Sequence, residues 1–322
     1  MTFKVLSTSP TFGYYASEPV EYLKNHGCKL EVVPQEGKMS EEKLIEHVKE
    51  CDAMIVGVEN ITAPVIQASE KLKIIAKQGE GVDNIDITAA SSRGIVVVSA
   101  PGANSDAVAD LTIGLFLSLA RNIPFADCSV KEGGWPRIVG VQLNGKVLGI
   151  IGLGQIGKKV AKRALGFDMK VIAHDVLKDE AFAQKWVITY LSLDELLTES
   201  DFLSIHIPLS SSTRRLLGEK ELRLMKKEAF LLNISRGDIV DEEALYRVLK
   251  EGKIRAAALD VFSNEPPRES PLLKLDNVIL TPHMGGYTLE ALREIGMICA
   301  RGIVDVLEER HHQVTNPEIR DT

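Results

Sequence analysis

Five residues, Val147-Leu148-Gly149-Ile150-Ile151, run straight into Gly152-Leu153-Gly154-Gln155-Ile156-Gly157, and Ile156, Val160 and Ala164 then share one helical face. No other feature limits the fold so tightly. Glycines cluster in many turns, but a strand before them and a helix after them is the setting a phosphate-cradling loop requires. Gly152 permits the tight turn, Gly154 lets backbone approach a pyrophosphate, and Gly157 lets the helix pack on the strand. The first amides of that helix, Gln155 and Ile156 among them, have no internal partner and suit a phosphate. The next strand, Lys170–His174, ends at Asp175. A carboxylate there accepts from a ribose diol and repels a 2′-phosphate, so the expected cofactor is NAD and not NADP.

The rest of the chain repeats the same alternation of short apolar runs and helical patterns. Strands are expected at 4–6, 29–33, 53–57, 73–76 and 95–98, with helices at 18–25, 40–50, 63–70 and 87–92 between them. From Val147 onward, strands are expected at 147–151, 170–174, 202–206, 230–234, 256–261 and 278–280. Such alternation implies parallel sheets with helices on both faces, here as two doubly wound α/β units. Between them, 105–122 reads as a long helix with Val108, Leu111, Leu115 and Leu119 on its apolar side, closed by Asn122 and Pro124. A last helix at 289–309, followed by a polar tail at 311–322, is expected to return to the first unit. The expected division is 1–100 and 287–322 for a discontinuous substrate domain, and 101–286 for the dinucleotide domain.

Composition narrows the partners. The 322 residues carry 38 Lys and Arg against 45 Asp and Glu, a formal charge of −7. No window supplies the basic face of a nucleic-acid binder. The most apolar stretch, 111–120, is half of the ~20 residues a membrane span needs. Cys28, Cys51, Cys128 and Cys299 lie far apart without a CxxC pair, which excludes a zinc ribbon or disulfide scaffold and suggests a reducing compartment. The start of the chain reads as a strand and not as a signal peptide, so a cytoplasmic protein is expected. No HxxH, HExxH or Cys/His cluster suggests a metal.

Ligands of an open parallel sheet bind outside the carboxyl ends of its strands. Just past three such ends stand Arg236, Glu265 and His283. An imidazole can exchange the proton of a substrate oxygen. A neighbouring carboxylate stabilises the imidazolium and fixes the ring, and a guanidinium fork grips a substrate carboxylate. Each residue alone reads as an ordinary loop charge. Together, downstream of a dinucleotide loop, they suit hydride transfer to or from a small hydroxy or keto acid.

The chain resembles the D-isomer-specific 2-hydroxyacid dehydrogenase family through Gly152–Gly157, Asn233-Ile234-Ser235-Arg236-Gly237, Ala258-Leu259-Asp260-Val261-Phe262, Asn264-Glu265-Pro266 and Pro282-His283-Met284-Gly285-Gly286. Gly81-Val82-Asp83-Asn84 and Ala103-Asn104-Ser105 extend the similarity over nearly the whole chain. The resemblance implies a Rossmann NAD domain and a discontinuous, flavodoxin-like substrate domain, with catalysis in the cleft. It makes Arg236, Glu265 and His283 the catalytic trio, with His283 as acid/base. It adds His206, Ile234, Asp260 and Gly286 to the cofactor set, in which Arg236 and His283 also take part. Asp260 is expected on the nicotinamide carboxamide, and His206 reads equally as a packed structural histidine.

Within the family the chain is most similar to phosphoglycerate-dehydrogenase-like members. That branch implies Lys77, Gly79, Glu80, Gly81 and Asn104 as substrate contacts. It also implies Arg137, beside Trp135, as a residue reaching a neighbouring subunit's site. Two positions depart from it. Gly57 stands where an arginine is common, and Glu80 occupies a loop position normally uncharged. A carboxylate beside a phosphate is repulsive, which argues against 3-phosphoglycerate. Glu59 and Glu80 read equally as surface charges. The expectation is an NAD-dependent dehydrogenase of a small D-2-hydroxy acid, phosphoglycerate-like or else a glyoxylate or hydroxypyruvate reductase. Glu265 argues against formate-oxidising relatives, which usually carry Gln there. An NAD-sensing corepressor is the alternative of another class. The apolar face of 105–122 is expected to pair two chains in a homodimer.

Overall fold

The computed structural model describes residues 2–33 and 39–309; the expected polar tail at 311–322 lies outside them. It divides into two compact units, one formed by the described residues up to Asn104 and from Gly286 onward, the other by Ser105–Gly285.

The first unit is a five-stranded parallel sheet of β1 (Phe3–Ser7), β2 (Cys28–Val32), β3 (Ala53–Val56), β4 (Ile74–Lys77) and β5 (Val96–Val98), in the order β2-β1-β3-β4-β5. The chain leaves β1 in one direction and returns past it to β3, so the crevice between β1 and β3 is the topological switch point. β3 is buried along its whole length, which is why it reads as an apolar run and not as an alternation. The helix Leu289–Leu307 belongs to this unit and packs on Glu18–Asn25, with Arg293 Nε 2.9 Å from Glu18 Oε1.

The second unit holds β6 (Val147–Ile151), β7 (Lys170–His174), β8 (Thr189–Tyr190), β9 (Phe202–Ile205), β10 (Phe230–Asn233), β11 (Ala256–Leu259) and β12 (Val278–Leu280). All seven are parallel, ordered β12-β11-β10-β9-β6-β7-β8, with the switch point between β6 and β9. Phe202 stacks on Phe230 with ring centroids 4.8 Å apart, and Phe116 meets Phe202 edge-on at 5.2 Å. These rings join the sheet to the helix Ser105–Arg121.

That helix corrects one expectation. Ten of its 17 residues are buried, among them Val108, Leu115, Phe116 and Leu119, and it packs on the helix Gln155–Leu165 within its own unit. Asp106 and Asp110 reach across to Lys159 and Arg163 at 2.6 Å each. The apolar face that suggested a dimer contact is therefore core. Exposed apolar surface lies instead on the next helix, Ile123–Lys131, which has no buried residue. Pro124 does not end helical structure, as expected; it sits in the first turn of this second helix, where its missing N–H costs nothing.

No single helix among the described residues is long and apolar enough to cross a membrane. Ser105–Arg121 and Ile123–Lys131 reach such a length only as a pair, bent by 62°. The four cysteines are unpaired, and all but Cys128 are buried.

Candidate active site

The phosphate loop has the conformation its glycines foretell. Gly152 has φ +92°, and its amide donates to the carbonyl of His174 at 2.9 Å. A Cβ on Gly157 would lie 2.1 Å from the Gly152 carbonyl oxygen, so only glycine lets the helix approach the turn. Gly154 caps the helix Gln155–Leu165 with no side-chain hydrogen bond, and the space where its Cβ would stand is open. The first amides of the helix are thus unclaimed by a cap, beside an open approach, which is what a pyrophosphate needs. Asp175 closes the loop from the end of β7, where its Oδ2 accepts from the Leu153 amide at 2.7 Å and its Oδ1 from Leu177 at 2.9 Å. These residues fit a dinucleotide. His206 joins them through its backbone, for its carbonyl oxygen would lie 2.5 Å from a Cβ on Gly152. Its ring bonds Ser204 Oγ at 2.7 Å, and burial pushes its pKa down to about 3, so it is neutral.

Past β12, an edge strand of the same sheet, His283 Nδ1 lies 2.8 Å from Glu265 Oε2. With Nδ1 committed, Nε2 is the ring nitrogen left for a ligand. Burial alone would raise the Glu265 carboxyl. The His283 ring, the Phe262 amide at 3.1 Å and the Arg236 charge together hold it below the usual carboxylate range. The structure brings these three groups into one electrostatic cluster past the ends of β10, β11 and β12.

Neighbouring residues of the same motifs fix this cluster in place. Asn233, 1% exposed at the end of β10, donates from Nδ2 to the Arg236 carbonyl at 2.8 Å and accepts from the Ser235 amide at 3.2 Å. Gly237 must be glycine, since a Cβ there would lie 1.9 Å from the Phe262 carbonyl carbon; the Glu265 loop rests directly on the Arg236 loop. Asp260 is 1% exposed and accepts from Thr281 Oγ1 at 2.6 Å, Met284 N at 2.9 Å and Gly285 N at 2.8 Å. Those bonds bracket His283, whose φ of +52° lies in the left-handed region. A histidine held there is a sign of local strain that surrounding bonds must maintain. Ile234 packs beneath, with its Cγ1 near Gly285.

The remaining candidates fall elsewhere. Lys77, Gly79, Glu80, Gly81, Asn104 and Gly286 belong to the first unit, and the Asn104 amide lies against Gly286. Lys77 Nζ donates to the Gly57 carbonyl and to Asn84 Oδ1. Arg137 is exposed on the second unit, near Trp135, which is 87% exposed. Glu59 is not the surface charge it resembled. It is 3% exposed, and its Oε2 accepts from Thr8 Oγ1 at 2.7 Å and from the Gly57 amide at 3.2 Å. Nothing in its local sequence marks it, because the partner Thr8 comes from another strand end.

Residues 113–285 match the family described as D-isomer specific 2-hydroxyacid dehydrogenase, NAD binding domain. The chain belongs to that family. It is 48% identical over 273 residues to a D-3-phosphoglycerate dehydrogenase of Methanocaldococcus jannaschii, covering 84% of this chain and 52% of that protein. It is 44% identical over 275 residues to a hydroxypyruvate reductase of Thermotoga maritima, covering 84% of this chain and 88% of that one. Among solved structures, a Thermus thermophilus protein superposes with a TM-score of 0.90 at 35% identity, over 98% of this chain and all of the other. The chain thus spans about half the length of the phosphoglycerate dehydrogenase it matches. As a family member it uses NAD as its cofactor, and its phosphate loop, open at Gly154, fits that ligand.

Proposed function

We propose that this protein is an NAD-dependent oxidoreductase that interconverts a small D-2-hydroxy acid and its 2-keto acid. The observation that carries this reading is the 2.8 Å pair of His283 and Glu265, past the strand ends of the sheet that also holds the phosphate loop. NAD, when bound, supplies the hydride chemistry. The amides at the start of Gln155–Leu165 would hold its pyrophosphate, and Asp175 its ribose. His283 Nε2 gives a proton to the carbonyl oxygen in reduction and takes it from the hydroxyl in oxidation. Glu265 holds the ring by Nδ1 and stabilises the imidazolium. Arg236 grips the substrate carboxylate with its planar fork. Asp260 keeps the His283 loop in place and has capacity for one further donor, such as a carboxamide. Lys77, Gly79, Glu80, Gly81 and Asn104 are assigned to the substrate, in keeping with their place in the first unit.

The similarity to the hydroxypyruvate reductase, which spans most of both chains, favours an unphosphorylated keto acid over 3-phosphoglycerate. Absence of arginine at Gly57 agrees with this. The reading includes a homodimer, since Ile123, Phe125, Val130, Trp135 and Val139 are all about half exposed or more on one stretch of chain. Arg137, within that stretch, would then reach the partner's site. The unpaired cysteines and net negative charge support a reducing, cytoplasmic setting without a nucleic-acid partner.

NADH absorbance followed with a panel of 2-keto acids tests the reading. Turnover of at least one supports it. Tight NADH binding with no turnover of any would overturn it in favour of an NAD sensor.

A further inference from the structure

Four hydroxyl-bearing residues of the second unit, Ser105, Thr112, Ser200 and Ser204, are fully buried, at 0% exposure. Three of them are bonded. Thr112 and Ser200 donate to the carbonyl four residues earlier, that of Val108 at 2.8 Å and of Leu196 at 2.6 Å. Ser204 Oγ meets His206 Nε2 at 2.7 Å. Ser105 Oγ is buried with no partner among the described residues. It belongs to the first residue of its helix, so no helical carbonyl stands four residues before it. A buried hydroxyl without a bond costs free energy and calls for a reason.

Its place in the second unit supplies one. Asp106 Oδ2 meets Lys159 Nζ and Asp110 Oδ1 meets Arg163 Nε, at 2.6 Å each and one turn apart on both helices. The helices Ser105–Arg121 and Gln155–Leu165 therefore run side by side in the same direction, and both begin at the carboxyl edge of the sheet. The first turn of Ser105–Arg121 also touches the loop that carries His283. There Val108 Cγ2 lies 3.5 Å from where a Cβ on Gly285 would be, close to Ile234 Cγ1 and Asp260 Oδ2. The first four amides of a helix have no partner within it, and that end carries partial positive charge. Helical side chains lean toward the N-terminus, so Ser105 Oγ leans toward the same end. Asp106, the one carboxylate of that turn, is held by Lys159 and by Arg163 at 3.1 Å, which offsets its charge.

We infer that Ser105, with the amides of its helix's first turn, binds the phosphate on the nicotinamide side of the dinucleotide. This rests on the cofactor placement proposed above, with the pyrophosphate at the start of Gln155–Leu165 and the adenosine ribose on Asp175. A dinucleotide crosses the switch point, so its other half extends from β6 toward β9–β12. That is the side on which the Ser105 helix meets Ile234 and Gly285. Two helix starts side by side then take one phosphate each. A hydroxyl suits the task, because it donates to an anionic oxygen through a charge-assisted bond without burying a charge of its own.

The test compares the wild type and Ser105→Ala by calorimetric titration with NADH, ADP-ribose and AMP. ADP-ribose keeps both phosphates but lacks nicotinamide, and AMP keeps only the adenosine-side phosphate. Ser105→Ala should raise Kd for NADH and ADP-ribose alike by about tenfold and leave AMP unchanged. Without ligand its Tm should be no lower than wild type, since the lost hydroxyl had no bond to lose. If Ser105→Ala fails to fold, Ser105→Gly removes the same hydroxyl and should show the same pattern. Weakened NADH with unchanged ADP-ribose would move the hydroxyl to the nicotinamide ring and overturn the phosphate role. Equal weakening of AMP, or no change in any Kd, would also overturn it. A wild type that binds neither NADH nor ADP-ribose would instead remove the cofactor placement beneath it.

Discussion

Glu265 is bonded through both of its oxygens: Oε2 meets His283 Nδ1 at 2.8 Å, and Oε1 accepts from the Phe262 amide at 3.1 Å. The backbone bond fixes the carboxylate, and the carboxylate fixes the ring. Its negative charge also requires the proton of a neutral ring to sit on Nδ1, leaving Nε2 as the nitrogen that the proposed acid/base role uses. Glu265→Gln keeps the shape but offers an amide that can donate to Nδ1 and favour the opposite tautomer. We expect kcat to fall on the order of 10²-fold with NADH affinity little changed, as steady-state kinetics and fluorescence titration would show. A kcat near wild type would mean that the ring needs no such partner.

The same pairing makes stability sensitive to acid. The Glu265 carboxyl is held below its ordinary value of 4.5, and Asp201, which accepts from the Val147 amide at 2.9 Å and from Lys226 at 3.0 Å, is held below 3.8 despite partial burial. A depressed carboxylate contributes stability that is full above its unfolded pKa and is lost as pH falls through the folded one. Thermal melts should therefore hold level from neutrality to about pH 5 and decline below it. Asp201→Asn should flatten part of that decline. A variant with the wild-type acid slope would show that Asp201 contributes nothing to it.

Much of this was legible in the sequence. β6, β7 and β12 run over the residues expected of them, because each is a short apolar stretch between clear turn residues. β8, only two residues long, carries too little pattern to stand out. The turn at Asn122, with φ +52°, looks like a helix end, yet a second helix follows at once; sequence shows the break but not the restart. The Arg236, Glu265 and His283 trio follows from strand ends that topology aligns. The bonds of Asp260 and Glu59 do not, because Thr281, Met284 and Gly285 for the one and Thr8 for the other lie far off in the chain. The left-handed backbone of His283 has no sequence signature at all, since it depends on the three donors that Asp260 gathers.

Asp175 is the residue proposed to set cofactor choice. Its two backbone bonds hold the carboxylate at the end of β7, where a ribose diol would meet it. Asp175→Ala with an added basic neighbour should raise the NADPH-to-NADH ratio of kcat/KM by about tenfold or more. An unchanged ratio would remove Asp175 from that role.

The homodimer reading now rests on Ile123–Lys131 and the stretch that follows, not on the buried helix before them. Light scattering at micromolar concentration should give twice the chain mass of 35.3 kDa. Phe125→Asp, placed on a side chain 60% exposed, should shift that mass toward one chain without unfolding it. A wild-type mass of one chain would contradict the dimer.

His283→Ala, assayed in one preparation for NADH binding by fluorescence and for keto-acid reduction, tests the central claim most directly. The account predicts NADH affinity within about twofold of wild type and turnover lower by about 10²- to 10⁴-fold, the usual contribution of a general acid. Turnover close to wild type would contradict it.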